Sequence, residues 1–259
     1  MSEDARLIAR AEELLDRARR GEITYTAFLT PREQKMLSRA MPYAAGEMRF
    51  VGGYPCAERA RALFLPPYLL DMDEEALHEC LADTLEECLA PLEIKGSGFR
   101  ALLHKDFLGA ILNLGIERDA MGDLCVTDTH TAVLFCDRVI SAFLKETLSR
   151  VANDAVKIRE IVLTPDFDGG RRFQAIADTV ASPRADSVVA ALANLSRERA
   201  QALFREGLVE IDYEPAQKPD QLLTPCTVVT IRGKGKFIIR SISEQTKKGR
   251  IRLLADKYL

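Results

Sequence analysis

Between Ser182 and Leu259 two helix-length segments, Asp186 to Ala193 and Arg197 to Glu206, precede four runs rich in β-branched or apolar residues: Leu208 to Ile211, Val228 to Ile231, Phe237 to Ile242 and Ile251 to Ala255. Gly207 and further turn formers separate them, so this stretch can fold only as a small module of helices and short strands. It also reverses the electrostatics of the chain. It carries 14 Lys and Arg against 9 Asp and Glu, whereas residues 1–181 carry 22 against 30. The whole-chain net charge of -3 therefore conceals a dipole. From Arg232 onward nine basic side chains are opposed only by Glu244 and Asp256, the footprint of a surface that meets phosphates. The plainer alternative is a basic, solvated face.

Three places in this segment concentrate the cations. Ser196 is a good N-cap, which puts Arg197 and Arg199 in the first turn of a helix with Glu198 between them. Cations there oppose the helix dipole at a cost of about 0.3–1 kcal/mol each, so an offsetting anion is expected. A phosphate fits, since a helix start offers free N–H donors and arginine a bidentate fork. Arg232-Gly233-Lys234-Gly235-Lys236 places three cations on a loop whose glycines let backbone approach a ligand. It lacks the spacing and the Lys-Ser/Thr ending of a Walker loop. Lys247-Lys248-Gly249-Arg250 forms a second basic turn. With Arg184 and Lys218 these positions make up the expected RNA-contacting set, and structured RNA read by backbone and shape suits them best. Exposed hairpin tips would have the same composition.

Upstream, Leu7, Ala11, Leu14, Leu15 and Ala18 repeat at helical spacing before Gly21, predicting a helix over Asp4 to Arg20. Pro31 after Thr30 starts a second helix, to about Met41. Met48 to Val51 reads as a strand, Cys56 to Ala62 as helical and Leu63 to Leu65 as extended. Next come a helix over Glu74 to Leu89, strands at Leu92 to Lys95 and Leu124 to Thr127, and helices at Lys105 to Leu114 and Arg138 to Arg150. Val156 to Leu163 and Arg172 to Val180 read as a closing hairpin around Asp166 to Gly170. The expected fold class is α+β in three parts: an α/β domain over 1–72, an α+β domain of the RNA-recognition type over 73–181, and the basic module over 182–259. The aromatic signature that would stack bases is missing from the middle strands.

No run of about 18 apolar residues and no charged-then-apolar leader is present, so a cytoplasmic, non-membrane protein is expected. The six cysteines form no Cys-x-x-Cys pair and the three histidines no metal-binding helix spacing, so neither cofactor nor metal is expected.

Ser182 to Ile242 resembles the RNA-binding domain named after ribosomal protein S-four: Arg184, the helix start Leu195-Ser196-Arg197-x-x-Ala200, Gly207-Leu208-Val209 and Arg232-Gly233-Lys234-Gly235 carry the likeness. The rest looks like the YlmH family of Gram-positive bacteria and relatives. The matching stretches are Leu29 to Gln34, Gly52-Gly53-Tyr54 with Ala57-Glu58-Arg59, His104 to Ala110, Leu114 to Arg118 with Gly122-Asp123, and Thr246 to Arg252. A monomer is expected, and the resemblance implies a non-enzymatic RNA-binding protein that meets ribosomal RNA and tRNA on the large ribosomal subunit carrying peptidyl-tRNA. It also implies work alongside protein partners in quality control of stalled translation, and a link to cell division. It marks Arg184 and Arg197 as RNA contacts. Three departures stand out: Ala185 where the family has leucine, Ile211-Asp212 where it has Val-Asn, and Pro225-Cys226 in place of a Gly-Asp turn. An acidic Asp212 beside an RNA face would repel phosphate.

The same RNA-binding domain accompanies pseudouridine synthases, rRNA methyltransferases and tyrosyl-tRNA synthetases, so an RNA-modifying enzyme is the competing reading. Gly96-Ser97-Gly98 lacks the third glycine of a dinucleotide fingerprint. His104-Lys105-Asp106 are successive helix residues that diverge, favouring a cap and packing role. A nucleophile pair of Cys125 or Cys136 with His130 lacks a third, orienting group.

Overall fold

The computed structural model describes residues 2–55, 57–164, 166–245 and 249–258, and the chain divides into two compact units, Met1–Gly170 and Arg171–Leu259. The first unit opens with α1 (Glu3–Arg19), capped by Ser2 and burying the predicted Ala11, Leu14, Leu15 and Ala18 stripe. After β1 (Thr24–Tyr25), α2 (Pro31–Ala40) starts in a capping box, in which the Thr30 hydroxyl and the Glu33 carboxylate satisfy each other's backbone N–H. Strands β2 (Met48–Val51) and β3 (Arg61–Phe64) complete a small antiparallel sheet of order β1-β3-β2. The helix expected over Cys56 to Ala62 does not form: Cys56 lies outside the described residues, and Ala57 to Ala60 run as loop and bridge into β3. The Glu58 and Arg59 N–H groups donate to the Asp123 carboxylate instead of to helical carbonyls, and the loop lies against Gly52.

The remaining elements of this unit are α3 (Glu74–Cys88), β4 (Ala90–Gly96), α4 (His104–Leu112), β5 (Met121–Val126), β6 (Thr131–Cys136), α5 (Arg138–Thr147), β7 (Arg150–Val151) and β8 (Asp154–Glu160). Their antiparallel sheet has the order β5-β6-β4-β8-β7. Leaving the edge strand β7 aside, this is the βαββαβ arrangement of the split βαβ fold, which RNA-recognition modules use. Leu92, Ile94, Ala132, Leu134 and Cys136 point to one face and form a core with Phe107, Ile111 and Leu144 of the helices. Strand β6 was not anticipated; its six residues are all buried, so it shows no alternation to read.

The second unit starts with β9 (Phe173–Val180), followed by α6 (Ala185–Ala193), α7 (Arg197–Arg205), β10 (Val209–Ile211), β11 (Glu214–Pro215), β12 (Val228–Ile231), β13 (Gly235–Gln245) and β14 (Ile251–Tyr258). The sheet order is β11-β10-β12-β13-β14-β9. The hairpin expected between Val156 and Val180 is therefore absent: β8 pairs with β4, and β9 pairs over its whole length with β14, from Ile251↔Val180 to Tyr258↔Phe173. β8 is taken up by β4 on one side and by β7 at its start, whereas β14 offers β9 an edge of eight residues. Val188, Val189 and Leu192 of α6 and Leu203 and Phe204 of α7 share one core with Val229, Phe237, Ile239, Leu253 and Ala255 of the sheet.

Two of the departures from the family pattern have local explanations. Asp212 and Tyr213 both have positive φ, 50° and 67°, in the two-residue turn that returns Ile211 to Glu214, the geometry of a type I′ turn. Asp tolerates that region, and its Oδ1 accepts from the Val228 N–H at 2.9 Å. The carboxylate thus serves the sheet, where asparagine would serve equally. Cys226 (φ 68°) sits third in the Thr224–Thr227 turn, a position that favours glycine. Its left-handed backbone costs on the order of 1 kcal/mol. Among the described residues no helix is long and apolar enough to cross a membrane.

Candidate nucleic-acid interface

Asp186, at the second position of α6, is fully buried at 0% exposure. A lone buried carboxylate is prohibitively costly, so it must be paired. Arg184 donates Nε and Nη2 to its two oxygens at 3.2 and 3.3 Å, and Arg197 does the same from the start of α7 at 3.0 and 3.3 Å. Gln201, one turn further along α7, adds a bond at 3.0 Å. Two guanidinium groups on one carboxylate leave an excess positive charge, and each engages Asp186 through its Nε–Nη2 edge. The Nη1 corners are not used in these bonds, and both side chains remain substantially exposed, at 36% and 52%. The clamp therefore holds two forks in a fixed orientation, which lowers the entropy lost on gripping a phosphate.

Burial alone pushes the Asp186 carboxyl up; the hydrogen bonds from Arg184, Gln201 and Arg197 outweigh it and hold the group at about 2, against an ordinary 3.8. A carboxyl depressed in the folded state stabilises fully above its unfolded value and loses that contribution as pH falls through the folded one. The window here runs from about pH 4 down to about pH 2, with roughly 2 kcal/mol at stake. Hydrogen exchange of α6 and α7 amides in the full-length protein should show protection falling across that window. Asp186→Asn should remove that part of the slope; an unchanged slope would mean that Asp186 is not the titrating group.

The anion expected to offset the cations at the start of α7 is thus partly internal, since Asp186 supplies it for Arg197. Ser196 caps the helix as expected, accepting from the Arg199 N–H at 3.2 Å, while Arg199 itself is exposed. Lys218 is exposed on the loop that holds the start of α6, where Pro219 and Gln221 carbonyls accept from the Asp186 and Ala185 N–H groups. Arg250 donates to the Thr179 carbonyl and lines, with Arg197, Asn194 and Ser187, a groove of about 390 Å³. Arg184, Arg197, Arg199, Lys218 and Arg250 thus gather around the starts of the two helices and the β9 end beside them. Lys247 and Lys248 lie outside the described residues.

Arg232, Lys234 and Lys236 do not join them. Their turn begins β13, whereas Arg250 follows its far end, and the 11 residues between span about 35 Å. The Arg232 N–H instead donates to the Leu208 carbonyl, just past the end of α7. Arg232 and Lys234 are exposed, and the Lys236 ammonium lies 4.8 Å from the rings of both Tyr213 and Tyr258. The two basic turns are two places, set apart by the length of one strand.

In the first unit the face of the five-stranded sheet away from α4 and α5 is partly filled from within. Tyr54 stacks on Phe135 at 5.1 Å and meets Phe167 edge-on at 5.3 Å, with Cys125, Val133, Ile161 and Leu163 around them. The Tyr54 hydroxyl donates to Asp123 at 2.6 Å, and the Glu58 and Arg59 N–H groups donate to the same carboxylate. Burial first, then Asp123, holds the phenol protonated far above its usual range. The buried Arg59 guanidinium donates to the Met121, Phe28 and Arg118 carbonyls. The Gly52-Gly53-Tyr54, Glu58-Arg59 and Gly122-Asp123 motifs are therefore one structural junction. The uncovered part of that sheet face carries Lys95 directly opposite Lys157, with Arg159 paired to Glu93 beside them. Like charges directly opposed destabilise a sheet. Sequence reading missed this patch, because register alone brings the two lysines together.

The catalytic candidates dissolve into structure. Asp106 accepts from the Leu103 N–H and caps α4. His130 Nδ1 lies 2.8 Å from the Arg100 carbonyl, while the Cys136 thiol contacts the Ala90 carbonyl and Cys125 the Tyr54 hydroxyl. Burial pushes the Cys136 thiol up to about 12, the opposite of the lowered thiol that an activated nucleophile needs.

Residues 89–165 match the family described as "Putative RNA-binding domain in YlmH". The chain is 28% identical over 236 residues to the ribosome-associated protein quality control protein P2 of Bacillus subtilis (strain 168), covering 90% of this chain and 86% of that protein. Among solved structures it is similar to the cell division protein ylmH from Streptococcus pneumoniae, 20% identical, with a TM-score of 0.49 over 65% of this chain and 96% of that one.

Proposed function

We propose that this chain, which belongs to the YlmH family, is a non-enzymatic RNA-binding protein of the ribosome. In this reading it contacts ribosomal RNA and tRNA on a large subunit still carrying peptidyl-tRNA, during quality control of stalled translation. The observation that carries it is the Arg184–Asp186–Arg197 clamp: two pre-oriented guanidinium forks beside a helix start, with excess positive charge. Around it, Ser196, Arg199, Lys218 and Arg250 form the primary contact surface, and Lys247 and Lys248 belong to it by sequence. Arg232, Lys234 and Lys236 form a second contact zone, beyond the far end of α7 and separated from Arg250 by the length of β13. The opposed Lys95 and Lys157 support a third contact, within the segment that matches the RNA-binding family model. An incoming phosphate would relieve their repulsion. The division into modules at 1–72, 73–181 and 182–259 is part of this reading, as is a link to cell division.

Co-sedimentation of the purified protein with large subunits across a salt series tests it. Association should weaken steeply with salt, and Arg199→Ala and Lys218→Ala, both at exposed positions, should each flatten the log–log slope by about one. Salt-independent association would reject the phosphate-contacting face in favour of a protein contact. An enzyme of the RNA-modifying type would leave altered nucleosides, detectable by mass spectrometry after incubation with total RNA and common cofactors; none is expected.

A further inference from the structure

The second unit carries another surface, on the side of its sheet opposite α6 and α7. Register aligns Thr230 of β12 with Lys236 of β13, and Tyr258 of β14 with Phe173 of β9; Phe237↔Lys257 brings Lys236 level with Tyr258. One row therefore crosses four strands on the solvent face. Phe173 meets Tyr258 edge-on at 5.0 Å, Lys236 lies against Tyr258 and Tyr213, and Arg240 lies 5.2 Å over the Phe173 ring. Arg240 is also paired with Asp256 of β14 at 2.7 Å, which neutralises that carboxylate. Phe173 remains 37% exposed on an edge strand. Beyond it on the same face of β9 come Ala175 and Ala177, both exposed and too small to obstruct a flat ligand.

Aromatic rings interleaved with cations on an open, flat sheet are the chemistry by which proteins hold unpaired nucleotides: bases stack on the rings and the backbone tracks the cations. A peptide adding to this sheet would pair along the free edge of β9, whereas the aromatic and cationic row crosses the face of the sheet, at right angles to that edge. We propose that the face formed by Phe173, Tyr258, Lys236, Tyr213 and Arg240 binds single-stranded RNA. It goes beyond the clamp reading, because it lies across the sheet from the helix starts and prefers a different form of RNA.

The test is fluorescence anisotropy of the full-length protein with a labelled single-stranded RNA of mixed sequence, about eight nucleotides long. Phe173→Leu combined with Tyr258→Leu keeps apolar bulk and removes the rings; it should weaken binding by about tenfold or more. Arg184→Ala with Arg197→Ala and Asp186→Leu should leave this affinity unchanged while reducing co-sedimentation with large subunits. Equal affinity in the leucine variant overturns the proposal, as does equal loss in the clamp variant or a wild-type protein that fails to bind at about 100 μM. Should the leucine variant fold poorly, photo-cross-linking of the wild-type protein to a 4-thiouridine oligonucleotide decides. Adducts at Phe173 or Tyr258 support the assignment; adducts only elsewhere, or only protein adducts at this face in cross-linked ribosomes, reject it.

Discussion

Replacing both Arg184 and Arg197 by alanine should cost the second unit about 3–5 kcal/mol, because Asp186 is left buried with only Gln201 as a partner. Adding Asp186→Leu should restore most of that, since removing a buried charge together with its partners is close to neutral while stranding one is not. Binding to large ribosomal subunits should be lost in the double variant and stay lost in the triple. Amide hydrogen exchange over α6 and α7 measures the first quantity and co-sedimentation the second. The pattern of rescued protection without rescued binding separates the two roles of the clamp. A triple variant that regained binding would show that the guanidinium groups act only by holding the helices together. Alanine at Arg197 alone is consequently not silent in thermal unfolding, whereas alanine at Arg199 is.

The other large effect is expected in the first unit at Gly53. Its φ is 91°, and a Cβ placed there would lie 2.4 Å from the ring of Phe135, itself stacked on Tyr54. Gly53→Ala therefore adds left-handed strain of about 1–2 kcal/mol to overpacking of about 1–3 kcal/mol. Gly98→Ala and Gly115→Ala share the positive φ, yet their added carbon would meet nothing within 4 Å. They should cost only the strain. Thermal unfolding of the three variants checks this, and similar shifts for all three would mean that the ring gives way freely. Gly52 is just as confined, with Ala57 Cβ at 2.3 Å and the Arg59 carbonyl oxygen at 2.7 Å. Any side chain at Gly52 would push on the Ala57 to Ala60 loop that leads into β3.

Much of the local structure was legible because it rests on short-range rules. Thr30 and Ser196, read as helix starts, each cap a helix through their own side chain, and the apolar period of α1 and α3 marks their buried faces. What escaped was set by distant pairing. Strand β9 was read with the nearer β8 because sequence neighbours usually pair, and β6 showed no alternation because both of its faces are buried. The candidate site divides along the same line. Cation-rich turns can be counted in a sequence, but the role of Asp186 depends on partners 11 and 15 positions away. Likewise, the alignment of Phe173, Tyr258 and Lys236 exists only once three strands have found their register.

The placement of β9 also bears on where this protein can be cut. A fragment beginning at Ser182, where the basic module starts in the sequence, would keep both helices yet strip β14 of the neighbour that pairs with it from Ile251 to Tyr258. The raw border would be a ready template for strangers, with Leu254 already at the surface beside it. Starting eleven residues earlier, at Arg171, keeps that border covered.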